Sequence, residues 1–250
     1  MITSRILQTA LMCAVGVLAA NRAVAQQSRC ADCHYSVPGA PRPDHLEEWD
    51  RSPHGRNGVG CEKCHGGNAN VIEGFLAHAG VLNSADEFSP VSRRNLPLTC
   101  GQCHVPPAVA FESSRHYELL RTGSYKGPTC STCHGAVDGR VLSPKALASK
   151  CGECHGPGEV APRAGRVESV RNQYEEITAV REQIKLAQSL ITRIDDKKRR
   201  ADLTKALDQA QASLTRAVDA GHKFVYDDLK ASLALARKQA GAILTTLANR

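Results

Sequence analysis

Aromatic side chains are scarce in this 250-residue chain: one Trp, five Tyr and four Phe amount to 4%. Aromatics usually carry much of the burial in a core, so an all-protein core of this size is thinly supplied. Methionine is scarcer still, with only Met1 and Met12. No apolar run reaches the roughly 18 residues of a spanning helix, which excludes an integral membrane bundle. No stretch alternates apolar and polar residues over a useful length, so no strand is expected. No lysine/arginine cluster interleaves with aromatics, and the formal charge of +7 does not point to nucleic acid. The length allows one domain or two small ones. Eleven cysteines stand out, yet the chain is too long and too cysteine-poor for a small disulfide scaffold.

The N-terminus reads as a targeting segment. Arg5 opens a short basic region, Ile6 to Ala20 is apolar and uncharged, and Ala23-Val24-Ala25 offers a small-x-small cleavage site. This is the pattern of a secretory signal peptide over residues 1–25, with a retained membrane anchor as the alternative. The predicted mature chain begins near Gln26. It loses Cys13 and both methionines and keeps ten cysteines.

Those ten cysteines form five identical pairs, each followed by histidine: Cys30/Cys33-His34, Cys61/Cys64-His65, Cys100/Cys103-His104, Cys130/Cys133-His134 and Cys151/Cys154-His155. C-x-x-C-H is the attachment pattern of c-type haem. Two thiols add to the two vinyl groups of one porphyrin edge, and the adjoining histidine reaches the iron. Two intervening residues put both thiols on one side of a helical turn. Zinc sites take such pairs in twos, and five do not divide that way. A redox dithiol needs one pair in a βαβ context. The expectation is five covalently bound haem c groups. Their macrocycles supply apolar bulk that the aromatics do not.

Five histidines lie outside the motifs: His45, His54, His78, His116 and His222. Five motifs and five spare histidines predict two histidine ligands per iron, since the mature chain has no methionine to serve. Two of the five sit in an internal repeat. Trp49-x-x-Ser52-x-His54 precedes the second motif and Phe111-x-x-Ser114-x-His116 precedes the fourth, and both motifs are followed by glycine. Residues 30–66 and 100–135 thus read as two copies of a two-haem unit. His45 also fits a solvated helix position beside Glu47 and Glu48.

Between motifs the chain is rich in Gly, Pro, Ser and Asn, so short helices and loops are expected to wrap the haems. Residues 26–165 give 28 residues per motif, which requires close haem packing. After 165, cysteine and proline stop and helical apolar spacing takes over. Val170 opens this stretch, and from Ile177 the steps through Val180, Ile184, Ala187, Ile191 and Ile194 form a heptad seam. The run Asp195–Arg200 reads as a solvated turn, with a basic docking patch as the alternative. A second stripe joins Leu203, Leu207, Ala210, Leu214 and Ala217. A third joins Val225, Leu229, Leu233, Ala236 and Leu244. The expected fold is mostly α: a haem domain at 26–165 and a long-helix C-terminal domain at 166–250, either a hairpin or three helices. Residues 26–165 carry 14 basic and 14 acidic side chains, whereas 166–250 carry 16 and 11. His222 follows Gly221 near the apolar seam and is expected to project from a helix start toward a haem.

These motifs, the aromatic-x-x-Ser-x-His element and a helical tail with Gly-His resemble the multihaem cytochromes c related to hydroxylamine oxidoreductase and pentahaem nitrite reductase. The small tetrahaem electron carriers of ammonia oxidisers belong to the same broad group. The resemblance implies close-packed haem chains and tail helices that join subunits into homo-oligomers or a larger assembly. That family's tail commonly reads Gly-x-His-Asn before Tyr, and Gly221-His222-Lys223-Phe224-Val225-Tyr226 matches it in part. The nitrite reductases replace one motif histidine by lysine, and no motif here does.

Two functions follow as expectations, beside a structural reading as a subunit that docks haems within a larger respiratory or filament assembly. Bis-His iron has no open position, which suits electron transfer between donor and acceptor proteins, with no enzymatic role. The alternative is a reductase or oxidoreductase of a small nitrogen or sulfur oxyanion, which needs one open iron. Either protein is exported, periplasmic or on the outer face of a bacterial cell, without a transmembrane span in the mature chain.

Overall fold

The computed structural model describes residues 28–122 and 127–249, and the signal peptide expected over residues 1–25 lies outside them. The described residues are helices and loops, with no strand among them. The chain divides into two compact units, one ending at Gly80 and one beginning at Val81. The compositional change near 165 falls within the second unit.

The first unit contains α1 (Arg29–Ser36), α2 (His45–Arg51), α3 (Pro53–Arg56), α4 (Glu62–His65) and α5 (Gly74–Ala77). Each is short because glycine and proline punctuate the chain. The Trp49-x-x-Ser52-x-His54 element has a clear local logic. Trp49 is buried at the end of α2, and its indole N–H donates to the Val59 carbonyl at 2.8 Å. Ser52 leaves the helical region and caps α3, its hydroxyl accepting from the Gly55 N–H at 3.0 Å. Pro53 takes the first helical position, where no N–H is needed. His54 then emerges at the second.

The second unit opens with α6 (Leu96–Gly101), α7 (Val105–Glu112), α8 (Arg115–Arg121), α9 (Cys130–His134) and α10 (Pro144–His155). Here the repeat is structural as well as sequential. Phe111 is buried at the end of α7, and Ser114 caps α8 by accepting from the Tyr117 N–H at 3.1 Å. Ser52 and Ser114 share one backbone conformation, φ −79°, ψ 163° against φ −92°, ψ 153°. The glycines after the second and fourth motifs match too: Gly66 at φ +76° and Gly135 at φ +74° end α4 and α9 in a region that side chains rarely adopt.

Three long helices complete the second unit: α11 (Ala164–Ile191), α12 (Lys197–Lys223) and α13 (Tyr226–Ala248). They pack on one another around a core drawn from all three stripes, with Val180, Ala187, Ala210, Leu214, Leu233 and Ala236 nearly inaccessible. The arrangement is thus a three-helix tail. α7 packs against α12 and α10 against α11, which ties the tail to the haem-motif segments of its own unit.

Several details depart from the sequence reading. Lys197–Arg200 forms the first turn of α12 instead of a loop, capped by Asp196, whose carboxylate accepts from the Arg199 N–H at 3.0 Å. Val225 is 40% exposed because it stands between α12 and α13, and Ala240 and Ile243 take core positions that the third stripe omitted. His222 lies in the last turn of α12, not at a helix start. Beyond it Phe224 adopts φ +58°, the one non-glycine residue with positive φ among the described residues. A side chain in this left-handed region costs about 1–2 kcal/mol.

Candidate haem sites

Every motif is built on a helical turn. The His65 and His104 amides each donate to the carbonyl of the first cysteine of their motif at 2.9 Å, which brings the two thiols and the imidazole onto one turn. None of the ten thiols is tied up in a disulfide, and none is fully buried. Both properties suit thioether formation at a porphyrin edge.

The histidine rings come in twos. In the first unit, His34 faces His78 with ring centroids 5.9 Å apart, and His45 faces His65 at 5.7 Å. In the second unit, His134 faces His222 at 6.3 Å and His155 faces His116 at 5.9 Å. A metal–imidazole bond is about 2 Å long, and the coordinating nitrogen lies about 1 Å from the ring centre, so two imidazoles on one ion stand about 6 Å apart. Each of the four pairs joins one motif histidine to one spare histidine. No group of three or more His, Cys, Asp or Glu side chains among the described residues is arranged to hold a metal ion. Two opposed imidazoles fit an iron whose other four positions come from a porphyrin.

Hydrogen bonds at the far nitrogen support this geometry. His34 Nδ1 donates to the Pro41 carbonyl at 2.5 Å, and His78 Nδ1 to Gly74 at 2.6 Å. His155 Nδ1 donates to Ala161 at 2.7 Å, and His222 Nδ1 to Val218 at 2.9 Å. A proton held on Nδ1 leaves the Nε2 lone pair for a metal and fixes the ring plane. His116 differs: its Nδ1 is buried with no partner among the described residues. Burial, reinforced by the facing ring, holds His65, His116 and His134 below the usual histidine pKa. A lowered pKa favours the neutral imidazole, the form in which a histidine can bind a metal.

The motifs also approach one another within each unit. The Cys61 thiol is raised by burial, accepts a 3.8 Å contact from the Ser28 hydroxyl, and feels the charge of Cys30. In the second unit the Cys100 and Cys130 thiols hydrogen-bond each other, which drives Cys100 up and Cys130 down. These pairs occupy equivalent positions of the repeat. Cys133 is pushed up to about 11 by burial and by Cys151, which links the fourth motif to the fifth.

Nine of the ten axial candidates stand where a short helix or its flank carries them, and the tenth, His222, comes from α12. His54 belongs to the first unit and His104 to the second. His45, which also fitted a solvated position, faces His65 with ring planes nearly parallel, at an interplanar angle of 8°. Two residues escaped the sequence reading. Tyr174 of α11 lies beside Cys133 and Cys151, and burial together with their charge pushes its hydroxyl up to about 12. A Cβ at Gly221 would meet the Tyr174 hydroxyl at 3.2 Å, so glycine before His222 makes room for that ring. The second residue is Phe224, whose ring lies 4.1 Å from that of His116.

Comparison with known proteins agrees with the class. Residues 9–66, which include the first two motifs, match the family model "Cytochrome c554 and c-prime". The chain is 32% identical over 139 residues to the C-type polyheme cytochrome OmcB of Geobacter sulfurreducens, covering 52% of this chain and 16% of that protein. It is 28% identical over 135 residues to the polyheme cytochrome OmcC of the same organism, covering 50% of this chain and 17% of that one. The chain therefore spans about a sixth of the length of these relatives. No solved structure matches it. Together the motifs and matches support a multihaem c-type cytochrome. The relatives do not extend that class to the hydroxylamine oxidoreductase group expected from the sequence.

Proposed function

We propose that this protein is an exported pentahaem cytochrome c that passes electrons between redox partner proteins through closely packed bis-histidine haems. The observation that carries the reading is the set of four histidine pairs at 5.7–6.3 Å. Each pair unites a motif histidine with one that no motif explains.

Cys30 and Cys33 would hold the first haem, with His34 and His78 on its iron. Cys61 and Cys64 would hold the second, with His65 and His45. Cys100 and Cys103 would hold the third, with His104. Cys130 and Cys133 would hold the fourth, with His134 and His222, and Cys151 and Cys154 the fifth, with His155 and His116. His54 is the remaining distal histidine. The bound haem supplies a one-electron change of iron oxidation state. The protein's part is to fill both axial positions, exclude substrate from them and keep neighbouring haems close. Thiols adjacent at Cys30/Cys61, Cys100/Cys130 and Cys133/Cys151 favour short transfer steps.

The relatives' names, as polyheme c-type cytochromes, and the signal-like N-terminus support work outside the cytoplasm, in the periplasm or at the outer surface. Among the described residues no helix is long and apolar enough to cross a membrane. Intact mass of the protein exported with haem-attachment machinery tests the count. Five covalent haems and a fully low-spin ferric spectrum without a thioether–iron band are expected. Four or fewer haems in a homogeneous sample, or a large high-spin fraction, overturns the reading.

A further inference from the structure

The Gly221–Phe224 turn faces two haem sites. His222 pairs with His134, and two residues later Phe224 turns its ring edge-on to His116 at 74°. Phe111, from the repeat element that also carries His116, packs 6.2 Å from Phe224 on its other contact. Phe224 occupies the position after a helix that glycine normally takes, with its N–H bonded to the Gly221 carbonyl and the Val225 N–H bonded to Ala220. A bulky residue in such a strained conformation points to a role for its ring.

That role is visible at His116. At the fourth site His222 Nδ1 donates to the Val218 carbonyl at 2.9 Å, and the backbone of Gly139 lies against the His134 ring. At the fifth site His155 bonds Ala161, but His116 Nδ1 is enclosed and unpartnered among the described residues. A carbonyl that draws the imidazole proton makes the ring a stronger donor to iron and favours the ferric state. An imidazole without that bond favours the ferrous state by comparison. Phe224, 45% exposed, stands at the surface against this enclosed ring.

We propose that Phe224 is a positioning residue for His116: its ring holds the imidazole toward His155 and keeps water from Nδ1, so that the fifth haem is more oxidising than the fourth. One electron then passes from ferrous iron at the fourth site to ferric iron at the fifth, with no proton or bond change. The inference rests on the bis-histidine reading above and adds a direction to it.

The test uses the haem-loaded protein with Phe224→Gly, Phe224→Asn and Phe224→Tyr. Glycine and asparagine suit the left-handed backbone and remove the ring, whereas tyrosine keeps the ring. His116→Ala identifies the fifth haem by turning it high-spin. Redox titration followed by electron paramagnetic resonance should then show that haem moving to lower potential in Phe224→Gly and Phe224→Asn. Its low-spin signal should change as well, with haem count and thermal stability held at or above the parent. Phe224→Tyr should keep the parental potential. Unchanged potential and signal in both ring-less variants overturns the positioning role while leaving ligation intact. A His116→Ala protein that stays wholly low-spin overturns the ligation and the inference with it.

Discussion

Among the described residues, sixteen of the twenty-three buried apolar side chains lie in the tail after Ala164, and twelve of the sixteen exposed large ones lie before it. Ile72, Phe75 and Phe88, at 89%, 86% and 77% exposed, are extreme cases in the sequence between the second and third motifs. The tail is therefore a protein core in the ordinary sense, built from three apolar stripes that cover one another. The motif segments are organised by other means: buried serine caps, tryptophan and phenylalanine anchors, and paired imidazoles. Apolar side chains left at the surface around five C-x-x-C-H motifs are what haem macrocycles would cover. The difference teaches that the two regions answer to different losses.

The largest effect should come from Cys130→Ser with Cys133→Ser. We expect one haem fewer by intact mass and a marked loss of helix around the second unit's motifs, read by circular dichroism. Next, Leu233→Ala opens a cavity at a fully buried core position and should cost about 3 kcal/mol in chemical denaturation. Its haem count and visible spectrum should not change, which would separate the tail's core from the haem sites. His222→Ala should keep five haems but turn one high-spin and open to carbon monoxide, since the covalent links lie elsewhere. Ser52→Ala and Ser114→Ala should each cost about 1 kcal/mol through a lost helix cap. Similar losses would sharpen the repeat, whereas a loss at one serine alone would break it.

A subtler effect lies in the ring planes. His45/His65 and His134/His222 are nearly parallel, at 8° and 2°, whereas His34/His78 and His116/His155 cross at 80° and 65°. Parallel and crossed axial imidazoles split the ferric orbitals differently. Low-spin resonance signals of the holoprotein should therefore fall into two classes, and His222→Ala should remove a member of the parallel class.

Much of this was legible in the residues. Five motifs announced themselves by spacing, five spare histidines by number, and the repeat by Trp49–His54 against Phe111–His116. The three tail stripes followed from helical period. Pairing was not legible, because His34 meets His78 and His134 meets His222 only through the path of intervening loops. His45 was ambiguous because its sequence neighbours are charged while its ring partner, His65, is twenty residues away. Phe224 was hidden for the opposite reason: local propensity argues against a phenyl side chain in a left-handed turn, so only the backbone reveals it. Tyr174 shares its helix with ordinary core residues, and nothing in the spacing marks its approach to Cys133 and Cys151.

The central claim is that every iron in the mature protein has both axial positions filled by histidine. Carbon monoxide added to the dithionite-reduced, haem-loaded protein tests it most directly. The account predicts an unchanged Soret band at saturating gas. A shift corresponding to even one haem would reveal an open iron, contradict the electron-carrier reading and move the weight to chemistry on a bound small molecule.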